Sequence, residues 1–292
     1  MDVLVTGGDG FVGRHLCAEL VDRGHDVESL SRTPDPSVLP AEVTTASGDV
    51  REFSSIEGAF EGTDAVVHLV ALSPLYQHRI SQEEVHAEGT ENAVEAADAH
   101  GVERFVQMSS IGTHPDGRTS YTHAKGIAEW TVYQSDLDWV VFRPSMIFGD
   151  GGELIPFTER FTTPYVTALP EGGRPPMQPI WVGDVVSMLA EGVEDDAHVR
   201  STYELGGPEV LTVADVARKI YRARGQSLRV LPVPMALATL GLTLVDPLSV
   251  VPFGRDQARQ MKMNLAVEGN DIGAFGREAA DLRTLGAYVR SN

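Results

Sequence analysis

The chain has 292 residues, enough to bury a large core, and its hydrophobic content of 42% is that of a globular protein. Acidic residues outnumber basic ones by 42 to 23, and the net charge of -19 argues against nucleic acid or anionic membranes as electrostatic partners. Only three of the basic residues are lysine. Because salt screens self-repulsion, this composition predicts a protein of a very salty cytoplasm, with biased codon usage as the alternative.

The chain opens with a short apolar strand, a glycine-rich turn and a helix. The turn has the sequence TGGDGFVG from Thr6 to Gly13, and the helical pattern runs from Phe11 to Arg23. In doubly wound folds such a unit holds a dinucleotide pyrophosphate, because the helix N-terminus offers free N–H groups to the anion. An ordinary glycine-rich turn is the alternative. The residues expected at the pyrophosphate are Gly7, Gly10, Phe11, Val12 and Gly13.

Apolar runs alternate with helical patterns through the first two thirds of the chain. This alternation predicts an α/β fold with a parallel, doubly wound sheet. Helices are predicted over Glu83–His100 and Ser120–Tyr133, and the Gly- and Pro-rich stretch Asp150–Pro179 is expected to form loops with one short helix. The predicted strands are Val3–Thr6, Val27–Ser31, Val43–Asp49, Ala65–Ala71, Arg104–Ser109 and Trp139–Pro144.

Two domains are predicted. Residues 1–149 form a nucleotide-binding core, completed by about 180–206, where a strand at Thr202–Leu205 returns to the main sheet. Residues 150–179 and 207–292 form a smaller C-terminal lobe for a substrate or partner. We expect this lobe to lie over the C-terminal ends of the strands, where ligands bind in this architecture. Within it, a capping box at Thr212–Asp215 is expected to open a helix.

The most apolar stretch of the chain, Leu231–Phe253, contains four prolines and Asp246, which argues against a membrane span. It is expected to pack inside the C-terminal lobe, with an apolar contact to a partner or a membrane as the alternative. The first residues already form a strand, so we expect no signal peptide. The single cysteine, Cys17, is expected to be a buried apolar residue in a reducing cytoplasm, and the nine scattered histidines predict no metal site.

The end of the second strand bears on the choice of cofactor. An NAD site usually places a carboxylate there for the 2′-hydroxyl of the adenosine ribose. Here the strand ends at Ser31, Arg32 follows, and no carboxylate comes until Asp35. A guanidinium suits a 2′-phosphate, which favours NADP(H) over NAD(H), with Arg14 as a second contact. The alternative is that Arg32 is an ordinary surface arginine.

A tyrosine and a lysine are spaced for acid–base chemistry. Tyr121 and Lys125 lie four residues apart on a predicted helix and therefore share one face. The ammonium is expected to lower the pKa of the phenol, so that Tyr121 exchanges a proton, and to hold ribose hydroxyls of the cofactor. Ser110, at the end of the preceding strand, is expected to orient the substrate oxygen, with an ordinary strand-end turn as the alternative.

These motifs resemble those of extended short-chain dehydrogenases/reductases of the NAD(P)-dependent epimerase/dehydratase type, and the similarity covers nearly the whole chain. The resemblance implies that Asp49 and Val50 flank the adenine, that Val70 and Ala71 line the cofactor, and that Ile147 approaches the nicotinamide. Pro144, in the same string as Ile147, is also expected at the cofactor. The strings that carry the resemblance are TGGDGFVG (6–13), GDV (48–50), HLVA (68–71), MSS (108–110), YTHAK (121–125), RPSMIFG (143–149) and PIWVGDV (179–185).

Within that family, the segments VHAEGTENAVEAA, RFVQMSSIGTHPDG and LDWVVFRPSMIFGDGG resemble the atypical branch that contains the Rossmann-type accessory subunit of respiratory complex I. His86 stands where the sugar-nucleotide enzymes usually have asparagine, and the loop from Ser110 to Tyr121 is shorter than theirs. Three functions remain open: an NADP(H)-dependent oxidoreductase acting on a hydrophobic small molecule, a slow NADPH-binding accessory protein of a respiratory or membrane complex, and a nucleotide-sugar epimerase or dehydratase.

Overall fold

A computed structural model describes residues 1–75, 79–234, 255–260 and 262–291. Contacts divide the chain into two compact units. Most of the apolar stretch predicted to pack in the C-terminal lobe, residues 235–253, lies outside the described residues. The first unit comprises Met1–Ser73, His78–Pro144 and Val182–Leu205, and the second comprises Pro74–Gln77, Ser145–Trp181 and Gly206–Asn292.

The first unit is built on a sheet of seven parallel strands. Numbered over the whole chain, they are β1 (Asp2–Thr6), β2 (Asp26–Ser31), β3 (Thr44–Ser47), β4 (Ala65–His68), β5 (Arg104–Met108), β6 (Asp138–Pro144) and β11 (Ser201–Leu205). Their order is β11-β6-β5-β4-β1-β2-β3, and every neighbouring pair is parallel. The reversal of strand order beside β1 is that of a doubly wound sheet, so the predicted fold class is confirmed.

The central strands are apolar because both of their faces are covered. All residues of β4 and β5 are buried, which is the pattern of a parallel strand between two helical layers. The predicted strand at Ala65–Ala71 ends early, at His68, because its neighbour β1 ends at Thr6 and the chain turns away there. The last bond between the two segments runs from the Leu69 N–H to the Thr6 carbonyl, at 3.0 Å.

Helices of the first unit include one departure from the predicted pattern. The helix predicted at Glu83–His100 begins as a π-helical turn, Glu84–Glu88, and continues as a regular helix. Cys17 is fully buried in the first helix, as predicted. The helices are α1 (Phe11–Asp22), α2 (Phe53–Ile56), α3 (Gly89–Ala99), α4 (Ser120–Gln134) and α6 (Val182–Glu194), with 3₁₀ turns at Pro36–Val38, Glu57–Phe60 and Asp196–His198.

The second unit combines short strand pairs with helices around an apolar core. Its strands pair as β7 (Ile147–Phe148) with β10 (Ile180–Trp181), β9 (Pro176–Met177) with β12 (Leu211–Thr212), and β8 (Tyr165–Pro170) with β13 (Leu228–Val233). Its helices are α5 (Leu154–Phe161), α7 (Val213–Ala223), α8 (Arg255–Gln260) and α9 (Leu285–Ser291), with a 3₁₀ turn at Asp271–Phe275. Among the described helices, none has the length and apolar character that a membrane crossing requires.

Sequence patterns predicted one part of this unit and missed another. The capping box is confirmed, since Thr212 Oγ1 accepts a hydrogen bond from Asp215 N at 3.1 Å and the Asp215 carboxylate accepts one from Thr212 N. The expectation of loops with one short helix at 150–179 is wrong, because β8 and β9 lie there. The partner strand of β8 comes much later in the chain, so no local pattern indicates the pairing.

Candidate functional site

The glycine turn lies between the end of β1 and the start of α1 in the first unit. Gly7 adopts a φ of 75°, and its N–H donates to the Leu30 carbonyl at 2.7 Å. A β-carbon at Gly13 would lie 2.2 Å from the Gly7 carbonyl oxygen, so only glycine lets α1 start this close to the turn. Gly10 is extended and immediately precedes the helix.

The N-terminus of α1 is open for an anion. Its N-cap residue, Gly10, has no side chain that could cap it. The N–H groups of Phe11, Val12 and Gly13 belong to the first turn, where N–H groups have no partners within the helix. The helix dipole adds positive potential at the same end. The turn and this helix end therefore fit a dinucleotide pyrophosphate.

The segment after β4 lies beside the turn. A β-carbon at Gly7 would lie 3.3 Å from the backbone nitrogen of Val70, so the glycine faces this segment directly. Val70 is half-buried and Ala71, next to it, is exposed. The structure thus brings Val70 next to the turn that precedes α1.

Three further predicted residues lie after β2 and β3. Arg32 is exposed, and its charge acts on the carboxylate of Asp49. That carboxylate already binds Arg51, with Nη2 at 2.6 Å from Oδ2, and this hydrogen bond is the main cause that lowers the pKa of Asp49. Val50 is buried, and its Cγ2 lies 2.8 Å from where a β-carbon on Gly89 would be.

The predicted acid–base residues meet at the C-terminal end of β5. The side chain of Thr119 caps α4 and places Tyr121 in its first turn. The Tyr121 hydroxyl is hydrogen-bonded to Ser110, whose Oγ lies 3.1 Å from Thr113 Oγ1. One turn later, the Lys125 ammonium donates to the carbonyl of Met108, the last residue of β5, at 2.7 Å.

The pKa shifts differ from the predicted direction at the tyrosine. Burial raises the pKa of Tyr121, and the hydrogen bond with Ser110 lowers it by less. The expectation that Lys125 lowers this pKa is therefore wrong: the loss of hydration outweighs other effects, and the ammonium is directed at the Met108 carbonyl. Burial also lowers the pKa of Lys125 itself to about 8, while the charge of Glu129 raises it.

An ion pair supports the lysine from the next turn of α4, and sequence reasoning missed it. Glu129 is buried and accepts two hydrogen bonds from Arg143 on β6, from Nε at 2.8 Å and from Nη2 at 2.5 Å. Its negative charge favours the protonated form of Lys125. The signal in the sequence is the repeated spacing of four from Tyr121 through Lys125 to Glu129, which puts all three on one helix face.

Two buried histidines also belong to the site. The His86 ring, on the π-helical turn, packs edge-on against the Tyr121 ring with centroids 5.3 Å apart, and its Nε2 accepts from the Leu72 N–H at 3.3 Å. His68, the last residue of β4, places Nδ1 2.8 Å from Thr6 Oγ1, and burial lowers its pKa to about 3. His86 is the residue that differs from the asparagine of the sugar-nucleotide enzymes.

The last two predicted cofactor residues lie on different units. Pro144 ends β6 in the first unit, and its carbonyl accepts from the Ile111 N–H at 3.2 Å. Ile147 belongs to the second unit, where it pairs with Ile180, so its approach to the nicotinamide stays a prediction. Across the described part of the chain, no group of three His, Cys, Asp or Glu is arranged to hold a metal ion.

Comparisons with known proteins match both the turn and the fold. The model of the NAD(P)H-binding family matches residues 7–164, more than half of the chain. The chain is 33% identical over 178 residues to a 2-alkyl-3-oxoalkanoate reductase of Stenotrophomonas maltophilia, covering 53% of this chain and 54% of that protein. It therefore spans only about half the length of that curated relative.

A second relative and a solved structure match more of the chain at lower identity. Subunit 9 of the NADH dehydrogenase [ubiquinone] 1 alpha subcomplex of Arabidopsis thaliana mitochondria is 25% identical over 80% of this chain and 60% of its own. The UDP-glucose 4-epimerase of Thermus thermophilus, solved with NAD, has a TM-score of 0.67 and 24% identity over 91% of this chain and 98% of its own. That likeness shows the fold.

The family match begins at Gly7 of the glycine turn and extends past the Tyr121 and Lys125 pair. The parallel sheet reverses its strand order beside that turn, as the doubly wound architecture requires. The chain belongs to the NAD(P)H-binding family.

Proposed function

We propose that this protein is an NADP(H)-dependent oxidoreductase that transfers a hydride to or from the carbonyl or alcohol carbon of a hydrophobic small molecule. The observation that carries the proposal is the meeting of Tyr121, Ser110 and Lys125 at the end of β5, in the unit that holds the glycine turn. These are the groups that carbonyl reduction needs for its proton and its substrate oxygen.

Each group has a distinct task. The nicotinamide, when bound, supplies or accepts the hydride. The Tyr121 hydroxyl keeps its proton at neutral pH because burial raises its pKa, so it is suited to protonate the oxygen of a carbonyl that is being reduced. Ser110 orients that oxygen through the same hydrogen-bond network. Lys125, held by the Met108 carbonyl, would hold ribose hydroxyls of the cofactor.

The hydrophobic character of the substrate rests on one relative. That relative carries a name that describes an alkyl-substituted oxoalkanoate as its substrate. We propose an apolar ketone or secondary alcohol as the substrate class.

Substitution of Tyr121 by phenylalanine tests the proposal. We expect Tyr121→Phe to bind NADPH with unchanged affinity and to lose at least about 100-fold in turnover, because the variant keeps the ring and loses the proton. Tyr165→Phe is the control for the loss of a tyrosine hydroxyl, since Tyr165 is an exposed residue of β8 in the second unit. The measurements are NADPH binding by fluorescence and oxidation of NADPH with a panel of apolar ketones. Equal turnover of the two variants would rule out the proposed role of Tyr121.

The preference for NADP(H) rests on Arg32. Its guanidinium is exposed and donates no hydrogen bond to any residue in the described ranges, so it is available to a 2′-phosphate. We expect Arg32→Ala to weaken NADPH binding about tenfold or more and NADH binding less than about threefold. Arg229→Ala, an exposed arginine on β13, is the control. Equal losses for both dinucleotides would contradict the preference.

A second candidate function is supported by the relative that matches 80% of the chain: a slow NADPH-binding accessory protein of a respiratory or membrane complex. In that case NADPH would stabilise the fold and a partner complex would be recovered with the protein. Purification of the tagged chain at high salt, followed by mass spectrometry of co-purified proteins, separates the two functions. Turnover without a partner supports the enzyme, and a stoichiometric membrane complex with no turnover supports the accessory protein.

We also propose a salty cytoplasm as the place where the protein works, on the strength of its net charge of -19 and its three lysines. A nucleotide-sugar epimerase or dehydratase is not proposed, because the epimerase likeness at 24% identity concerns the fold.

A further inference from the structure

A carboxylate of the glycine turn lies at the C-terminal tip of β2. Asp9 Oδ2 accepts a hydrogen bond from the hydroxyl of Ser31, the last residue of β2, at 2.8 Å. The same oxygen accepts a second bond from the backbone N–H of Asp35 at 3.2 Å. The β2 tip therefore has a carboxylate, although it comes from a different part of the chain than β2 itself.

The position of Asp9 follows from the close packing of the turn on β2. The Gly7 N–H bonds the Leu30 carbonyl at 2.7 Å, which ties the turn to the end of the strand. A β-carbon on Gly8 would lie 2.4 Å from the Ser29 hydroxyl oxygen and 2.7 Å from the Ser29 β-carbon, so the turn packs directly on the Ser29 side chain of β2. Asp9, half-buried, is consequently held where the adenosine ribose of a dinucleotide lies in doubly wound folds.

The charges at this tip are mixed. Among the described residues, no arginine or lysine forms an ion pair with Asp9. The neighbouring Asp35 carboxylate accepts hydrogen bonds from the N–H and hydroxyl of Ser37. Arg32 is the one guanidinium within residues 31–37, and its charge also acts on Asp49. A 2′-phosphate bound here would be attracted by the Arg32 guanidinium and repelled by the Asp9 carboxylate, which has no ion-pair partner among the described residues.

We propose that Asp9 is a specificity-determining residue whose carboxylate accepts a hydrogen bond from the adenosine ribose hydroxyls. Arg32 favours the 2′-phosphate of NADP(H), and Asp9 offsets this preference, so that the protein also binds NAD(H). The Ser31 hydroxyl is directed at Oδ2, which fixes the carboxylate and leaves Oδ1 as an acceptor for a ribose hydroxyl. This inference rests on the proposed dinucleotide binding, and it assigns to the glycine turn the role that a β2-tip carboxylate has in NAD sites.

The test is the substitution Asp9→Asn in the full chain, with NADH and NADPH titrated separately by fluorescence at one fixed high salt concentration. The amide keeps the size and can still accept from Ser31, but it no longer repels phosphate. We expect NADH to bind about tenfold more weakly, because its ribose loses a charged hydrogen-bond acceptor. We expect NADPH to bind several-fold more tightly, because its 2′-phosphate is no longer repelled. Asp22→Asn, at the end of α1, is the control for the loss of one negative charge.

A second variant keeps the inference testable if Asp9→Asn folds poorly. Ser31→Ala leaves the charge and removes the donor that positions it, so NADH affinity is expected to fall about threefold and NADPH affinity to change less. Equal changes of both affinities in either variant, or the same shift in Asp22→Asn, would overturn the inference while leaving dinucleotide binding intact. Failure of the wild-type chain to bind either dinucleotide would overturn the proposed function, and the role of Asp9 with it.

Discussion

Tyr121, Lys125 and His68 lie at the candidate site, and burial is the largest cause of the pKa shift of each. Burial disfavours the charged form in every case, so the tyrosine keeps its proton and the histidine is neutral at physiological pH. Lys125, with a pKa of about 8, is protonated at pH 7 with the help of Glu129. The Tyr121 hydroxyl is therefore protonated at physiological pH and lies next to the hydroxyl of Ser110.

The shift of His68 makes a prediction for stability in acid. Its pKa is about 3 in the folded chain and 6.5 ordinarily, so between these values the unfolded chain binds a proton that the folded chain does not. The contribution of neutral His68 to the free energy of unfolding is therefore lost as the pH falls below 6.5. By linkage the loss between about pH 7 and about pH 4 is about 3 kcal/mol, and His68→Asn should remove it. Urea unfolding of both proteins over this pH range measures the difference.

His114 supplies the control for this prediction. Its side chain is 68% exposed, so His114→Asn should leave the pH dependence of the free energy of unfolding as in the wild type. Parallel curves for the wild type and His68→Asn would show that burial of His68 does not contribute to the acid sensitivity.

At the level of secondary structure, α4 sets the spacing of the site. Its capping box fixes where the helix begins, and the spacing of four then sets Tyr121, Lys125 and Glu129 on one face, each one turn apart. Tyr121 is hydrogen-bonded to Ser110, and Lys125 donates to the last residue of β5. Glu129 accepts from Arg143 on β6. One helix thereby connects the acid–base residue with two neighbouring strands.

The contact between α1 and the glycine turn makes the second prediction. Gly13→Ala places a methyl group 2.2 Å from the Gly7 carbonyl oxygen, so α1 has to move away from the turn. We expect a loss of about 1–3 kcal/mol in the free energy of unfolding, together with weaker binding of both dinucleotides. Chemical denaturation and fluorescence titration measure the two effects.

A matched glycine variant separates steric pressure from the general effect of alanine. Gly58 lies in the 3₁₀ turn Glu57–Phe60, and a β-carbon there meets nothing within 4 Å. Gly58→Ala should therefore change stability by less than about 0.5 kcal/mol. If both variants behave alike, the close approach at Gly13 is not what makes glycine necessary there.

For the molecule as a whole, the net charge of -19 makes the third prediction. Repulsion among the excess carboxylates destabilises the compact state, and salt reduces it, because the Debye length falls from about 10 Å at 0.1 M to about 3 Å at 1 M. We expect the midpoint of thermal unfolding to rise by several degrees from about 0.1 to about 1 M KCl. A sucrose series of equal osmolarity is the control, and a flat or falling midpoint in KCl would refute the proposed adaptation to salt.

Sequence patterns predicted the two units unequally. In the first unit, alternating apolar runs and helices indicate the parallel sheet, since its central strands are largely apolar and the crossovers between strands are helical. In the second unit, β8 at Tyr165–Pro170 pairs with β13 at Leu228–Val233. Neither strand has a local pattern that predicts which strand it pairs with. Pairing between distant segments depends on packing of the chain between them.

Local sequence was enough to predict the features whose cause lies within one segment or in a simple alternation: the glycine turn from Thr6 to Gly13, the shared helix face of Tyr121 and Lys125, and the doubly wound sheet. The burial of these side chains and the charges around them depend on the tertiary structure. Burial raises the pKa of Tyr121, and Asp9 supplies the carboxylate at the β2 tip. Hydration and charge at a site depend on residues far apart in the chain, which spacing along one segment does not record.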